Sequence, residues 1–347
     1  MLNISSGFVG SYYTSIYNAL APLLGVSLIL EYISLIVALI IFFIALFIII
    51  SLFGYIFGWL ERKLIAKAQS RHGPTFLGKY GILQNLADFI KLISKEHIIP
   101  SNADKPIFQL SMVAIVTLFI TALVFIPFTS TFVGVATSFS VLIVFFLLSL
   151  VPLIEFIIGW SSGNKFSSIS AQRSVMMLAS YEISILLVVA SVILVAGSYN
   201  FQNIINAQTN MWFIVILPVG FFVFFIAMLG ELERPPFDLR EADSELIAGL
   251  LTDVSAPYYG LMLLVDYARM LLGSALIVIL FFGGWLGPTF ISAFIWFIAK
   301  VSIIALFIII IRATTVRMRI DKLLRLGWKY LMPLAVINLL LAALILI

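Results

Sequence analysis

Long, uninterrupted runs of apolar residues alternate with polar stretches along most of this chain. A helix needs about 20 mostly apolar residues to cross a bilayer, and continuous runs without alternation exclude membrane strands. The pattern therefore predicts an all-α membrane protein, a single integral membrane domain over 1–347 that forms a bundle of eight transmembrane helices. Their predicted bounds are 33–60, 110–129, 138–160, 174–197, 211–231, 258–282, 291–311 and 331–347.

The basic residues support this count and orient the helices. All but two of the 20 lysines and arginines lie in alternate connections between the predicted spans, and the intervening connections contain none. The basic connections are 61–109, 161–173, 232–257 and 312–330. Under the positive-inside rule their side is cytoplasmic, or the matrix in a mitochondrion. Both termini are therefore expected to lie outside.

The composition excludes whole classes of protein. Hydrophobic residues make up 63% of the chain and charged residues 10%, which a soluble fold of this size could not accommodate. Cysteine is absent, so the chain offers no thiolate for an iron–sulfur cluster or a zinc site. The only histidines, His72 and His97, share one polar stretch and cannot hold a haem between membrane helices. The net charge of +4 follows from topology, and we expect no nucleic-acid partner.

A different helical pattern lies within the long polar connection. Over 81–96, apolar residues recur at helical spacing and the charged residues fall mainly on the other face. This predicts an amphipathic surface helix at the membrane interface. Packing of the same helix against the protein's own bundle is the alternative.

Seven of the sixteen acidic residues gather at or within the acidic loop, 232–257, which we expect on the cytoplasmic side. The segment Asp238–Glu241 has the pattern of a capping box, which predicts a short helix that ends at Gly249. Glu241 and Glu245 are four residues apart and would repel each other on one helical face. Such a pair suits proton uptake, whereas a solvated acidic loop is the alternative.

Ionisable residues within the predicted spans are costly, and this marks them as functional candidates. They are Glu155, Glu182, Asp266, Arg269 and Lys300. Asp266 and Arg269 are three residues apart, a spacing at which they could neutralise each other. Glu182 has no basic residue within a helical turn, so we interpret it as a proton relay, with a structural hydrogen bond as the alternative. The sequence has no recognisable metal-ligand cluster, phosphate-binding loop or nucleophile triad.

Five separated motifs carry a resemblance to a known family. They are Glu61-Arg62-Lys63 with Arg71-His72-Gly73-Pro74 and 81–96; Gly159-Trp160-Ser161-Ser162 through Ser180-Tyr181-Glu182; Glu231 through Leu246; Gly283-Gly284-Trp285 with Lys300; and Arg312-Ala313-Thr314 through Leu326-Gly327-Trp328-Lys329. In these motifs the chain resembles the H-subunit family of respiratory complex I, the proton-translocating NADH–quinone oxidoreductase. It is similar in the same way to the matching membrane chain of archaeal complex I-like enzymes.

The resemblance implies a subunit without a redox centre of its own, within a multi-subunit quinone oxidoreductase that translocates protons. The implied substrate is a lipid quinone, held in a cavity shared with a neighbouring chain, with no metal or iron–sulfur cluster on this one. The implied partners are iron–sulfur and quinone-site subunits of the peripheral arm, small membrane subunits and antiporter-like subunits. The implied location is the plasma membrane of a prokaryote, with the mitochondrial inner membrane as the alternative.

The resemblance also implies roles for individual residues. For the quinone cavity it implies Glu61, Arg62, Arg71, Asp88, Asp238, Arg312 and Arg317. For a proton path from this cavity to the antiporter-like subunits it implies Glu182, Glu231, Asp253, Glu241 and Glu245. Quinone reduction would change the charge near the acidic loop and so move protons along this path.

Four residues depart from the family's pattern. Asp253 and Asp266 stand where the family usually has glutamate, so each carboxyl is one methylene shorter and direct proton contact calls for a bridging water. Glu155 and Arg269 stand where we expect apolar or neutral residues. Three other functions remain open: a membrane subunit of an energy-converting hydrogenase, a stand-alone proton or cation transporter, and a purely structural anchor.

Overall fold

The computed structural model describes residues 27–241, 243–288 and 291–346, and within them the chain is helical with no strand. Residues 1–26 and 347, which include both chain ends, lie outside the described residues. The prediction that both ends are on the outer side of the membrane concerns these residues. The α-helices are α1 Ser27–Ala68, α2 Gln84–Ser94, α3 Lys105–Val124, α4 Ser140–Ser161, α5 Lys165–Ala196, α6 Phe201–Ala207, α7 Phe213–Ile216, α8 Pro218–Glu231, α9 Asp243–Leu246, α10 Ala256–Phe281, α11 Ala293–Thr314, α12 Ile320–Leu326 and α13 Met332–Leu346.

Seven helical segments of the described chain are long and apolar enough to cross a bilayer, the last of them running through α12 and α13 together, and the predicted fifth span is shorter. The apolar run 211–231 is divided into α7 and α8, because Leu217 leaves the helical backbone region just before Pro218. Proline lacks the N–H that would continue the helix and disfavours helical geometry in the preceding residue. Helix α8 alone is about 21 Å long, less than the roughly 30 Å of hydrocarbon.

Two helices continue past their apolar runs into the polar connections. Helix α1 continues beyond the predicted end at 60 and includes Glu61 and Arg62, while α5 begins at Lys165. The Asn164 side chain caps α5 by accepting a hydrogen bond of 3.0 Å from the N–H of Phe166. Glu61 and Arg62 are therefore held on a rigid helix and not in a loop.

Helix α10 lies at the centre of the bundle. In its most apolar stretch, 78% of the residues of α10 are buried inside the protein, whereas 22–44% are buried in the same stretch of the other six spans. It contacts α1, α3 and α11, and every residue from Ala268 to Phe281 is buried. Helix α1 instead exposes Ile40, Ile44 and Ile48 on its outer face, the kind of surface that faces lipid. The polar residues at the inner end of α10 are thus surrounded by other helices.

Lys300 of α11 binds the backbone carbonyl groups at the C-terminal end of α10. Its Nζ donates to the carbonyl oxygens of Phe282 at 2.7 Å, Gly284 at 3.1 Å and Leu286 at 2.7 Å. The ring of Trp212 lies 4.8 Å from the same ammonium group. A cation at a helix C-terminus satisfies free carbonyls and complements the helix dipole. This intramembrane charge therefore has a structural explanation.

The surface helix α2 lies against the C-terminal part of α1. Tyr55 Oη donates to the carbonyl oxygen of Ile82 at 2.8 Å, and Asn85 Nδ2 donates to that of Tyr55 at 2.9 Å. A short 3₁₀ turn, Lys79–Gly81, precedes the helix. Gly81 has φ 74°, and a Cβ there would lie 2.2 Å from the carbonyl oxygen of Pro74, so only glycine fits.

The acidic loop folds back onto α4 and α5. Ser170 Oγ of α5 donates to the carbonyl oxygen of Arg240 at 2.6 Å, and Gly249 has φ 53° where a Cβ would lie 2.0 Å from that same oxygen. The helix expected directly after Asp238 begins only at Asp243 and has four residues. The capping-box interpretation is therefore wrong, and the Asp238 carboxylate pairs instead with Arg317 at 3.1 Å.

Candidate functional site

A cavity of about 520 Å³ lies between α1, the surface helix α2 and α10. Its walls are mainly apolar, with Phe47 and Leu52 from α1, Phe89 from α2 and Leu263 from α10. This volume is within the usual range of small-molecule sites, about 300–1,000 Å³. Leu52 lines the cavity and is 57% exposed on the outer surface of α1, so the cavity borders the surface that faces lipid.

Polar side chains also line the cavity. The guanidinium of Arg62 pairs with the Asp88 carboxylate at 2.5 Å, and Gln84 Nε2 donates to the same carboxylate at 3.0 Å. Partial burial acts to raise the pKa of Asp88, but these two hydrogen bonds and the charge of Arg62 outweigh it and lower the pKa. The apolar cavity therefore has a charged edge formed by Arg62 and ionised Asp88.

A buried ionic cluster lies directly behind the cavity. The Glu61 carboxylate accepts hydrogen bonds from Arg234, from Arg312 and, at 3.2 Å, from the hydroxyl of Tyr267. Tyr267 also lines the cavity, and the Arg234 guanidinium lies 5.5 Å from the centre of its ring. Gly58 of α1 permits this approach, since a Cβ there would lie 2.9 Å from the Tyr267 hydroxyl oxygen. Tyr267 thus connects the cavity to Glu61.

A second ionic network lies deeper and joins α4, α10 and the acidic loop. Glu155 Oε1 of α4 accepts from Arg240 at 2.7 Å and from Arg269 at 2.6 Å. Glu233 Oε2 pairs with the same two arginines, at 2.8 Å with Arg240 and by a shorter contact with Arg269. All four side chains are at most 5% exposed. Each carboxylate therefore bridges both guanidinium groups, and we call this group the four-charge network.

The partners of Arg269 differ from those that spacing suggested. Asp266, three residues away, was expected to neutralise it, but Arg269 pairs with Glu155 and Glu233. The Asp266 carboxylate lies 3.4 Å from Arg240 instead. Asp266 and Arg269 therefore contact different members of the network, because the helix directs them toward different neighbours.

Two of the five predicted proton-path residues contact or border the four-charge network. The Glu231 carboxyl is buried beside Tyr181, and its backbone oxygen lies 3.5 Å from Arg269. Glu241 accepts a hydrogen bond of 2.7 Å from Arg240 and is one-third exposed. Glu231 and Glu241 thus lie next to different arginines of this network, and the first is buried while the second is partly exposed.

The other three predicted proton-path residues lie apart. Glu182 is half-buried on α5, with no ion pair among the described residues. Glu245 is 56% exposed and pairs with Arg173 at 2.6 Å, so it does not share a helical face with Glu241. Asp253 borders a separate surface groove of about 460 Å³ together with Lys95.

The predicted quinone-cavity residues separate into four groups. Arg62 and Asp88 line the cavity, whereas Glu61 and Arg312 belong to the buried cluster behind it. Asp238 of the acidic loop pairs with Arg317 of the connection 312–330, and Arg317 also donates to the backbone oxygen of Glu241 at 3.2 Å. Arg71 is exposed and borders a groove of about 730 Å³ at the inner surface. Arg62 lines both this groove and the cavity.

Sequence reasoning overlooked four residues that now have clear contacts. Arg234 and Arg240 are the two basic residues of the acidic loop, a signal that the sequence did contain. Tyr267 and Glu233 carried no such signal, because their partners are distant along the chain. Within the described residues, no group of three or more histidine, aspartate or glutamate side chains could hold a metal ion.

The fold and these clusters define a class of protein, the helical integral membrane protein with an amphipathic cavity at one end of its bundle. The family described as NADH dehydrogenase matches residues 29–343, and the chain belongs to that family.

Relatives agree with this assignment. The H subunit of the NADH-quinone oxidoreductase of Dehalococcoides mccartyi (strain CBDB1) is 43% identical over 286 residues, which cover 82% of this chain and 80% of that protein. The H subunit of the Pelagibacter ubique (strain HTCC1062) enzyme is 41% identical over 283 residues, with 80% and 85% covered. That of the Methylococcus capsulatus enzyme is 36% identical over 280 residues, with 81% and 89% covered. The resemblance recognised from the motifs is confirmed.

Proposed function

We propose that this chain is the membrane subunit of a complex I-type proton-translocating quinone oxidoreductase, and that the cavity admits the lipid quinone. One observation carries the proposal: the cavity has apolar walls, borders the lipid-facing surface of α1 and ends at Arg62, Asp88 and Tyr267. A quinone has the matching chemistry, with a long apolar tail and a head group whose carbonyl oxygens accept hydrogen bonds. The donors available for these oxygens are the Arg62 guanidinium and the Tyr267 hydroxyl.

The residues behind the cavity suggest how quinone reduction acts on protons. Reduction of a quinone to a quinol consumes two electrons and two protons, and the electrons come from a partner, since this chain has no cysteine for a cluster. Tyr267 links the cavity to Glu61 and its arginines, while Glu241, the four-charge network and Glu231 form a series of charged groups leading inward. A charge change at the cavity would alter proton affinity along that series. Glu182, Asp253 and Glu245 would extend the path through water or partner subunits.

The surroundings follow from the same proposal. Iron–sulfur and quinone-site subunits of a peripheral arm would cover the cytoplasmic side, which bears the basic connections. Small membrane subunits and antiporter-like subunits would flank the bundle in the plasma membrane of a prokaryote, with both chain ends outside. The rival assignment to an energy-converting hydrogenase needs no quinone and leaves the amphipathic cavity without a purpose. A stand-alone transporter leaves unexplained why the relatives are named as oxidoreductase subunits.

A cavity-filling variant tests the proposal. Gly260 lines the cavity, and a Cβ there would lie 3.6 Å from Leu92, so a larger side chain can enter the cavity without a backbone clash. In the purified complex, we expect Gly260→Phe to raise the KM for a quinone analogue and to reduce photolabelling of this chain by an azido-quinone. Reduction of a water-soluble acceptor by the peripheral arm should stay unchanged.

The control is Leu110→Trp, which enlarges a side chain that is 70% exposed on the outer face of α3. Normal quinone kinetics and normal labelling in Gly260→Phe would show that quinone does not pass through this cavity.

A further inference from the structure

The four-charge network contains an arrangement that ion pairing alone does not explain. Glu155 Oε1 and Glu233 Oε2 both contact Nη1 of Arg240, at 2.7 and 2.8 Å, and both also contact Arg269, so the two carboxyl groups lie side by side. Two ionised carboxylates have no proton between them and repel each other, and this repulsion is strong where water is excluded. One proton between the two carboxyls turns that repulsion into a hydrogen bond.

The hydrogen-bond inventory of the network points the same way. Glu155 is fully buried, and its Oε2 accepts no hydrogen bond from the described residues. A buried carboxylate oxygen without a donor is costly, so a proton on the neighbouring carboxyl would remove an otherwise unexplained penalty. Burial raises the pKa of Glu233 to about 8 in spite of the guanidinium groups of Arg240 and Arg269, consistent with a carboxyl that holds a proton at neutral pH.

Other charged groups face this pair from each element packed against it. They are Tyr181 of α5, Glu231 of α8, Asp266 and Arg269 of α10, and Arg240 and Glu241 of the acidic loop. The two arginines favour ionised carboxylates, whereas Glu231, Asp266 and Glu241 favour a bound proton. Two arginines with one shared negative charge leave the network at +1, and the three outer acids can balance that charge.

We propose that Glu155 and Glu233 form a buried proton-binding site in which two carboxyl groups share one proton. Its two arginines contact Glu241, which is partly exposed, and the backbone oxygen of Glu231, which is buried. The shared proton is a property of the resting protein, so this proposal can be tested independently of the proposed quinone binding.

Infrared spectroscopy of the purified complex at rest tests the site without turnover. A protonated carboxyl absorbs separately from carboxylates, so the wild-type complex should show a carboxylic-acid band at neutral pH that disappears as the pH is raised. We expect both Glu155→Gln and Glu233→Gln to abolish this band, because the remaining carboxyl then faces two arginines alone and ionises. Asp321→Asn is the control, since Asp321 is 63% exposed and pairs at the surface with Arg319.

Each outcome decides the proposal. Loss of the band in both glutamine variants and its retention in the control support a shared proton. Retention of the band in Glu155→Gln would show that Glu233 is protonated by burial alone, and retention in both variants would show that the band comes from elsewhere. Either result overturns the proposal. If the glutamine variants do not assemble, Glu155→Asp keeps both carboxyls and should shift the band, and an unshifted band would count against the pair.

Discussion

The buried cluster around Glu61 permits a quantitative prediction. Glu61 is 4% exposed and Arg234 is 7% exposed, so Glu61→Gln would leave a buried guanidinium group without its carboxylate. Removal of one partner from a buried ion pair typically costs about 3–5 kcal/mol. Arg312 is one-third exposed and water solvates it, so loss of its ion pair with Glu61 should add less than about 1 kcal/mol to the loss of stability. The folded-to-unfolded ratio should fall by about two to four powers of ten.

Thermal unfolding of the purified complex, followed by loss of this chain from the complex on native gels, measures the effect. We expect Glu61→Gln to melt at the lowest temperature and Glu61→Gln/Arg234→Gln to recover part of the loss, because the double variant has no buried unpaired charge. The coupling between the two sites should exceed about 1 kcal/mol. Asp321→Asn, which removes only a surface ion pair, should melt like the wild type. A Glu61→Gln complex as stable as the wild type would refute this reasoning.

Two further predictions concern the surface helix. Gly81→Ala forces a Cβ onto the Pro74 carbonyl oxygen at a positive φ, so amide hydrogen exchange over 84–94 should accelerate while exchange in α5 stays unchanged. The ion pair with Arg62 lowers the pKa of Asp88 in the folded protein. The ion pair therefore stabilises the fold fully above the pKa of unfolded aspartate, about 3.9, and this stabilisation is lost as the pH falls through the lower pKa of the folded state. Proteolysis of α2 should therefore increase only in strong acid, and Asp88→Asn should remove this dependence.

Features imposed by the bilayer could be predicted from the sequence. Apolar runs and basic connections follow directly from solvation, so the helical class and the alternation of charge were accessible. The limits of individual helices were less accessible, since Pro218 interrupts one run and α1 extends through Glu61. The chemistry of individual residues determines where these helices end, and the average apolarity of a stretch of sequence does not reveal it.

Pairings across the fold were beyond local reasoning. Arg269 was matched with Asp266 by spacing, but it pairs with Glu155, which is 114 positions away. Glu61 was assigned to the cavity by resemblance, whereas its partner Arg234 is 173 positions away and was not assigned. Such contacts depend on how helices pack against α10, and a single sequence contains no record of that packing.

The four-charge network also constrains how this gene can change. Glu155, Glu233, Arg240 and Arg269 lie on three segments of the chain, and each one balances two others. Loss of any single member removes one of the two contacts that each of its partners makes in a buried site, so substitutions that are acceptable together are harmful one at a time. Recombination that brings in an α4 without this glutamate would create the same mismatch. These four positions should therefore be inherited as a unit, and functional chimeras should have crossover points that keep them together.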